Sequence, residues 1–478
     1  MRIDYVRRRI FSVFSFQCLL WGTFFLQMIF VPKLHSQIYQ GYEVSNYAGV
    51  IGLDFQPASI VDNRNKLDIL VGGFGSSVEN NIIKLDIETM VNFQHSQLSD
   101  YLTGESAINI DDDGFIKIQN QINFLSLMAS PSKYWGIGFQ VKARNFAQVE
   151  GFSSQTAEVF IDEISNITGP GYFPDNPFRY QSSSFFETGF TLGGGFDHKA
   201  HAFRFGITGN YLAGIDFLDL NVRQLDLNIT SPEAIEVNLD LTYARSPGIH
   251  LPIGERLSQL DLSQHNGYSL NMGFVYEFRP RYKNHFYGPM GLPQERQDWN
   301  KYHLKIGASI KDWGQISYET STQNTIFIDS TIVNPEQLTL DNSEQLEDIL
   351  APLNQSGQIS AYPYALQTQL NAYVDLRITQ TIYLNLAYRS ILDIQGQQIL
   401  FEGNPWFSAI PRIESNVAEF GIPIRVTGNR EALVGAYLRV GPLLIGTGSV
   451  GSLLLPKRRG YRLNAYAALR VPLNHRKP

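Results

Sequence analysis

The stretch that decides the fold is YWGIGFQVKARN, Tyr134 to Asn145, in which apolar and polar residues alternate. Apolar side chains stand at every second position from Trp135 onward, and the positions between them include Lys142 and Arg144. A period of two is typical of a β-strand that has one apolar and one polar face. The stretch therefore predicts a long amphipathic strand.

The same alternation recurs in segments that begin near Phe203, Leu270, Leu366 and Tyr461. Soluble β-sandwiches also alternate, so the period alone does not separate them from barrels. These segments are often ten residues or longer, whereas a mean strand of a globular protein has about five or six. Short connections also alternate with long ones, which is a habit of outer-membrane barrels. The sequence predicts an all-β protein, a transmembrane antiparallel β-barrel.

The expected strand count depends on the connections. The short ones are Ser130–Lys133, Asp197–Ala200, Thr379–Thr381 and Gly428–Arg430, and the long ones lie at about 88–114, 150–184, 218–267, 327–361 and 392–416. If Leu67–Ile87 runs outward as one strand, all the short connections fall on the periplasmic side. The scheme requires Tyr302–Ile328 and Glu431–Val450 each to be one bent strand, with KDWGQ and Gly441-Pro442 as bulges. It gives about 12 strands, or 14 if Val222–Ile229 and Ile235–Tyr243 join the wall. It gives no reason for the long connection Pro280–Lys301.

The charged positions of the alternating segments must face the interior of such a barrel. A Lys or Arg on the lipid face near the midplane costs about 2–4 kcal/mol. The candidate lumen-lining residues are Lys142, Arg144, Arg204, Glu277, Asp375 and Arg377. Two interpretations stay open for them: a selectivity lining, or mutual neutralisation that fills a closed polar interior.

Residues 1–36 have the features of a secretory signal peptide. Arg7–Arg9 form a basic region, Ile10–Val31 carries no charge, and Ser36 suits a cleavage site. An uncleaved anchor is the alternative, because 22 residues are enough to span a bilayer. Cys18, the one cysteine, lies in this segment, so a mature chain would have no disulfide. We expect export to the outer membrane of a Gram-negative cell.

Sequence motifs for catalysis, metal binding or nucleotide binding are weak. GTGSVG, 446–451, lacks the following helix and acidic residue of a dinucleotide site, and strand glycines explain it better. IDDDGF, 110–115, lacks the full calcium-loop spacing, and DHKAH, 197–201, indicates a turn. NSEQLEDILAPLN, 342–354, has helical periodicity. There is no G-x-S-x-G elbow and no basic stripe. We expect no enzyme activity, no metal, no cofactor and no nucleic-acid partner; a barrel hydrolase is a third, weaker hypothesis.

SNYAGVIGLDFQPASIVDNRNKLDILVGG, Ser45 to Gly73, resembles the N-terminal signature of FadL-type outer-membrane proteins, with Gln56-Pro57-Ala58 where that signature has Asn-Pro-Ala. Together with YHLKIGASIKDWGQISY it also resembles an uncharacterised Gram-negative family of FadL-like barrels. Some members of that family carry a C-terminal OmpA-type domain, which we expect to be absent here. The resemblance implies 14 strands and an N-terminal hatch in the lumen. It also implies uptake of hydrophobic molecules that leave sideways through the wall; a second branch of the superfamily serves protein secretion without transport.

The expected organisation is a signal peptide at 1–36, a plug or hatch at 37–65, and a barrel with long extracellular loops at 66–478. The hatch residues expected to occlude and gate are Gln56, Pro57, Ala58, Ser59 and Asn63. We expect a passive channel for small hydrophobic molecules; the alternative is a non-transporting structural or secretion-associated barrel. The expected partners are outer-membrane lipid, a small hydrophobic ligand, and secretion or envelope proteins.

Overall fold

The computed structural model describes residues 38–80, 114–152, 171–173, 177–231, 234–246, 265–280, 282–287, 294–333, 358–392, 405–427, 432–450 and 462–474. Three predicted features lie outside these residues: the signal peptide at 1–36, the helix at 342–354 and the three aspartates at 111–113. None of the described residues belongs to a helix that is long and apolar enough to cross a membrane.

The described strands form a wall of 14 antiparallel strands, some of them interrupted by a bend or an insertion. In chain order they are β1 (Asn65–Asn80), β2 (Gly114–Asn123 and Ser126–Ala129), β3 (Trp135–Phe152), β4 (Phe178–His198), β5 (His201–Ser231), β6 (Ala234–Arg245 and His265–Phe278), β7 (Leu304–Val333), β8 (Gln358–Ala365 and Gln369–Arg377), β9 (Ile382–Ile391), β10 (Trp406–Glu414), β11 (Ala418–Gly421 and Ile424–Thr427), β12 (Ala432–Val434 and Ala436–Val440), β13 (Leu443–Thr447) and β14 (Arg462–Asn474).

The sheet closes on itself because β1 pairs with both β2 and β14. Phe74 lies opposite Ile122 in the first ladder, and Ile69 lies opposite Val471 in the second. Closure leaves no free edge along the wall, which is what a bilayer demands of a β-structure. We call the end where β1 begins the turn end and the opposite end the loop end. The predicted all-β barrel is confirmed, with 14 strands.

The strands that bring the count to 14 are not the predicted ones. The prediction of one bent strand at Glu431–Val450 is wrong, because β12 and β13 are separate strands joined by a turn at Gly441 and Pro442. Gly441 has a φ of 55°, which glycine adopts without steric cost. The prediction of a loop throughout 392–416 is also wrong, because β10 lies within it.

Two further expectations about the connections are corrected. Gly428–Arg430 lies outside the described residues. The strands on either side of it, β11 and β12, pair with each other where β11 ends and β12 begins, at the loop end, so the scheme that assigns their connection to the turn end is wrong. Val222–Ile229 and Ile235–Tyr243 join the sheet as parts of β5 and β6 and do not add two strands of their own. By contrast, β7 is one long strand with a bulge between Ile310 and Trp313, as the KDWGQ segment predicts.

The wall is apolar outside and polar inside. Phe190, Phe205 and Ile207 are about half exposed on the outer surface, whereas Lys142 and Arg204 are buried in the lumen. On β4 the apolar outward positions run from Phe196 to Phe186, ten residue steps. With a strand tilt of about 40°, this band is about 25 Å tall, the height of the apolar band of a membrane barrel. The fold is therefore that of a transmembrane barrel.

The bulge in β7 reverses the alternation of the strand. Ile306 and Ala308 face outward before the bulge, whereas Trp313 faces outward after it. The two residues between, Lys311 and Asp312, are both directed to the lumen. Asp312 has a φ of 58°, a left-handed conformation that aspartate tolerates better than most residues. The bulge thus delivers two adjacent charged side chains to the interior.

Candidate functional site

The lumen is occupied by residues 38–64, which we call the hatch segment. It contains three short 3-10 helices, at Tyr42–Val44, Gly49–Asp54 and Pro57–Ile60. Pro57 begins the third helix, where its missing N–H costs nothing, and the Gln56 side chain accepts a hydrogen bond from the Ala58 amide at 3.2 Å. Nearly every apolar residue of the segment is buried against the wall. The segment expected to be a hatch therefore lies within the barrel.

A row of four wall glycines lies directly behind the third helix, and we call it the glycine row. Its members are Gly136, Gly193, Gly206 and Gly273. They are successive ladder partners on β3, β4, β5 and β6. A Cβ added to Gly206 would lie 2.3 Å from the carbonyl carbon of Pro57, and one added to Gly193 would lie 2.2 Å from a methyl group of Ile60. The hatch segment thus packs against bare wall backbone, at a distance that only glycine permits.

Gln56 attaches the hatch segment to the wall next to this row. Its side-chain amide donates hydrogen bonds to the carbonyl oxygens of Phe274, at 3.2 Å, and Ala308, at 3.1 Å. Phe274 and Ala308 are ladder partners on β6 and β7. Next to Ala308 on β7, the Ser309 hydroxyl donates to the carbonyl oxygen of Phe55 at 2.5 Å. The hatch backbone and side chains therefore continue the hydrogen bonding of the sheet into the lumen.

The other predicted gating residues have different surroundings. Ala58 and Pro57 are buried against the wall, and Asn63 donates its side-chain amide to the carbonyl oxygen of Ser59 at 2.9 Å. The Asn63 backbone amide donates to the Ser130 hydroxyl at 3.2 Å. Among the described residues, none lies within hydrogen-bonding distance of the Ser59 hydroxyl. The five residues thus belong to one turn, but Asn63 stabilises the turn rather than contacting an open passage.

Asp62 of the hatch segment lies among four positively charged side chains. Nothing in the sequence pattern indicated this residue as part of the site. Its carboxylate lies 2.7 Å from Arg279, 3.0 Å from Lys301, 3.1 Å from Arg64 and 3.5 Å from Arg204. We call Asp62 and these four cations the Asp62 cluster. Asp62 adopts a φ of 52°, which turns the chain toward β1. One hatch carboxylate is therefore shared among cations of the hatch, of the wall and of the connection between β6 and β7.

Burial and charge act in opposite directions on Asp62. Burial alone would raise the pKa of this carboxyl group, because the charged form loses its hydration. The four cations outweigh that effect and hold the pKa well below its ordinary value of 3.8. The carboxylate is therefore charged throughout the physiological pH range, and the cluster is a permanent electrostatic contact.

The connection between β6 and β7 covers the turn end below the hatch segment. It contains a 3-10 helix at Tyr282–His285 and a two-stranded ribbon, Phe286–Tyr287 with Gln294–Glu295. The Arg64 guanidinium donates to its backbone carbonyl oxygens at Gln297, 2.8 Å away, and at Trp299. The described part of the connection Pro280–Lys301 therefore binds the hatch segment at the turn end.

Further hatch contacts are made with strands β1, β7 and β11. The Ser45 hydroxyl donates to Glu419 at 2.6 Å, and the Asn46 side chain accepts from Lys305 at 2.9 Å. The backbone amide of Val50 donates to Asp68 on β1 at 2.8 Å. Charged and polar groups thus hold the segment on several sides of the barrel.

The predicted lumen-lining charges are found mostly in pairs. Lys142 lies 2.6 Å from Asp54 of the hatch segment and 3.0 Å from Glu187. Arg144 lies 2.9 Å from Glu187 and 2.9 Å from Asp312. The Lys142 and Arg144 charges are therefore both bound to carboxylates rather than presented to an open channel.

The remaining candidates divide into two groups. Asp375 pairs with Arg412 at 2.7 Å, and Glu277 contacts Arg279 of the Asp62 cluster. Arg204, in the same cluster, also pairs with Asp197 at 2.6 Å. Arg377 differs, because it lies at the turn end.

There the Arg377 guanidinium contacts Nδ1 of His303 at 2.9 Å and donates to the carbonyl oxygen of Asn300. Its role as a lumen-lining residue stays a prediction.

A cavity of about 60 Å³ remains between the hatch segment and the loop end. Charged side chains from the hatch and the wall line it, among them Glu43, Asp54, Lys311 and Arg389. Burial would raise the pKa of Asp54, but Lys142 and Lys311 outweigh it and lower that pKa below its ordinary value. A cavity of this size holds a few water molecules, whereas ligand pockets measure about 300–1,000 Å³. As the described residues form it, this cavity has no room for a hydrophobic ligand.

An aromatic cluster lies on the loop side of this cavity. The Phe217 ring packs 4.4 Å from that of Tyr318 and 5.6 Å from that of Tyr364, centroid to centroid. Phe146 and Phe185 continue the cluster toward the cavity, where both contact the Arg144 guanidinium. The side chains in the lumen are therefore aromatic nearer the loop end and charged nearer the hatch segment.

The sequence comparison with family models gives one match. The model of a family of unknown function, DUF5723, matches residues 57–448, which begin at Pro57 of the hatch segment and include β1 to β13. The chain belongs to the DUF5723 family. The family description assigns no function, so membership leaves the role of this DUF5723 protein open. The comparison with curated proteins found no match.

Solved barrel structures show a distant likeness. The "TodX deltaS2S3 mutant monoaromatic hydrocarbon channel" has a TM-score of 0.41 and 10% identity, over 90% of this chain and 95% of that one. The Ralstonia pickettii toluene transporter TbuX has a TM-score of 0.35 and 8% identity, over 92% and 99%. The translocator domain of the autotransporter NalP from Neisseria meningitidis has a TM-score of 0.33 and 5% identity, over 86% and 89%. At these scores the chain is not identified with any of them.

Proposed function

We propose that this protein is an outer-membrane barrel with a gated passage, closed at rest by the hatch segment, through which a small hydrophobic molecule crosses when the segment is displaced. The observation that carries the proposal is the fit between hatch and wall. The glycine row accepts the Pro57 turn at backbone distance, and the Asp62 cluster holds its C-terminal side. A plug that is held mainly by side-chain contacts is one that can be removed without unfolding the wall.

The outer membrane is the location that the architecture supports. In a closed barrel every strand of the wall has hydrogen-bonded neighbours on both sides, as a bilayer requires. The apolar outer band and the charged interior also match a membrane barrel, whereas a soluble domain places apolar residues inside. The turn end, where β1 begins and β14 ends, would then face the periplasm. On this orientation a solute enters at the loop end, meets the aromatic cluster around Phe217, and stops at the charged cavity and the hatch.

Planar bilayers and vesicles test the proposal. The intact protein should show little steady conductance, and deletion of Gln56–Asn63 should raise it. Vesicles that contain the deletion variant should also take up a small uncharged aromatic probe faster than vesicles with the intact protein. Unchanged conductance and uptake after the deletion would contradict the role of the segment as a plug.

A second candidate, a barrel that transports nothing, is favoured by the density of ion pairs around the hatch. Removing one partner of a buried ion pair costs about 3–5 kcal/mol, so displacing several such contacts together is improbable without a trigger. This candidate predicts that the deletion conducts ions but that no condition makes the intact protein pass the aromatic probe. It would act through its loops or its turn end, on other envelope proteins.

A further inference from the structure

A second concave feature lies on the outer surface of the wall, away from the lumen. It is a groove of about 540 Å³ that crosses β3 to β7, and we call it the outer groove. Phe139, Phe190, Tyr211, Tyr268, Leu270 and Trp313 line it, around Gly209 at its floor. Its volume falls within the range of about 300–1,000 Å³ that is usual for ligand pockets.

The groove exists because Gly209 faces outward. Among the described residues, no heavy atom lies within 4 Å of a Cβ built on Gly209. Its ladder partners on either side are Phe190 and Leu270, whose side chains rise from the wall as the two flanks. The bulge in β7 brings Trp313 opposite Leu270 and so extends the far flank.

The lining of the outer groove is mainly apolar. Asn210 and Ser269 border the groove in sequence, but their side chains are buried on the lumen side, where the Asn210 amide donates to the Ser269 hydroxyl at 3.0 Å. Among the outward lining residues, Thr188, Tyr211 and Tyr268 carry hydroxyl groups. A polar or charged ligand would therefore lose its hydration in the groove and gain few partners.

The position of the groove in the apolar band indicates which molecule covers it. It lies in the half of the apolar band nearer the loop end, and Tyr211 and Tyr268, in edge contact with ring centroids 5.5 Å apart, form its rim on that side. Tyrosines at such a height mark the membrane interface. Hydrocarbon from the leaflet at the loop end therefore covers the groove.

We propose that the outer groove binds one acyl chain of a membrane lipid from the leaflet at the loop end. The rings around Gly209 hold the chain from three sides, and its headgroup lies beyond the tyrosine rim. The site is independent of the hatch segment and of any passage through the lumen.

Fluorescence quenching of Trp313 tests the proposal. The Trp135→Phe variant removes the other tryptophan that is exposed on the apolar band among the described residues. The protein is reconstituted into vesicles of phospholipid with brominated acyl chains. Bromine quenches a tryptophan that it touches. These vesicles are then fused with a large excess of unbrominated vesicles. We expect a lipid held in the groove to exchange more slowly than the lipid around the barrel, and so to give more quenching than the diluted mole fraction of brominated lipid would give if every site exchanged lipid at random.

Two glycine variants in the same background provide the control. Gly209→Leu fills the groove and should abolish the excess quenching. Gly194→Leu adds the same side chain at another outward glycine with no described atom within 4 Å of a built Cβ, and should leave the excess unchanged. The proposal is overturned if quenching follows the mole fraction in the unfilled groove, or if Gly209→Leu has no effect. It is also overturned if brominated free fatty acid alone gives the excess, because the occupant would then not be a membrane lipid.

Discussion

Replacing Asp62 by asparagine tests how strongly the hatch segment is held. Asparagine has nearly the same shape and tolerates the left-handed backbone that Asp62 adopts at a φ of 52°, so the change removes a charge without straining the turn. Arg204, Arg279 and Lys301 would each lose a carboxylate within 2.7 to 3.5 Å. Removing one partner of a buried ion pair costs about 3–5 kcal/mol.

The lower end of that range applies here. Arg204 and Arg279 keep a second carboxylate, at Asp197 and Glu277, and Lys301 keeps Glu295 at 3.0 Å. A loss of about 3 kcal/mol corresponds to about a 100-fold rise in the displaced fraction of the hatch segment. Single-channel recording in planar bilayers should show a rise of that order in the fraction of time spent in a conducting state.

A matched control separates this effect from general electrostatics. Asp240→Asn also removes a paired aspartate, but the side chain of its partner Arg223 is 51% exposed and that of Asp240 is 27% exposed. Exposed pairs contribute about 0–1 kcal/mol, so the open fraction should hardly change. If Asp62→Asn leaves the open fraction within the range of the Asp240→Asn control, the Asp62 cluster does not hold the hatch.

Three further expectations concern the same contacts. Gly206→Ala places a Cβ 2.3 to 2.5 Å from the backbone of Pro57 and Ala58, so it should raise conductance, whereas Gly194→Ala on the outer surface should not. Gln56→Asn shortens the side chain by one methylene and should lose the hydrogen bonds to β6 and β7, which weakens hatch docking by about 1–2 kcal/mol in the same recordings. The lowered pKa of Asp62 stabilises the docked hatch above the ordinary pKa of 3.8, and this stabilisation is lost only as the pH falls through the lower, docked value. Conductance should therefore stay low as the pH is taken from 7 to about 4; a rise near pH 6 would show that another group controls docking.

The sequence predicted the wall well where the alternation is long and regular. From Trp135 onward, β3 follows the period of two, because lipid outside and charge inside impose opposite chemistry on adjacent positions. It predicted the wall poorly where strands are short. β13 has five residues, too few for a period to be distinguished from a bent continuation of β12. β10 has nine residues, but its buried face mixes Trp406 and Ile410 with Ser408 and Arg412, so apolar and polar residues do not alternate clearly along it.

The candidate site was predicted in part. The Gln56-Pro57-Ala58 turn stood out because a proline-containing polar segment preceded the first strand. Asp62 and Lys301 carried no such signal, because one acidic residue and one basic residue 239 positions apart have no sequence pattern in common. A search of the glycines for equal distances from the turns would have pointed to Gly193 and Gly206, which lie at matching heights on β4 and β5.

By itself the sequence determined that the chain forms a membrane barrel. A strand that alternates over ten or more residues, with Lys and Arg on one face, is stable in a membrane only when the charged face points into the barrel. Only the tertiary structure decided what fills the barrel. The docking of the hatch depends on four glycines aligned by the register of β3 to β6 and on cations from three separate parts of the chain around Asp62. The strand register and the closure of the barrel bring these groups together. Contacts between residues so far apart in the chain leave no local pattern in the sequence.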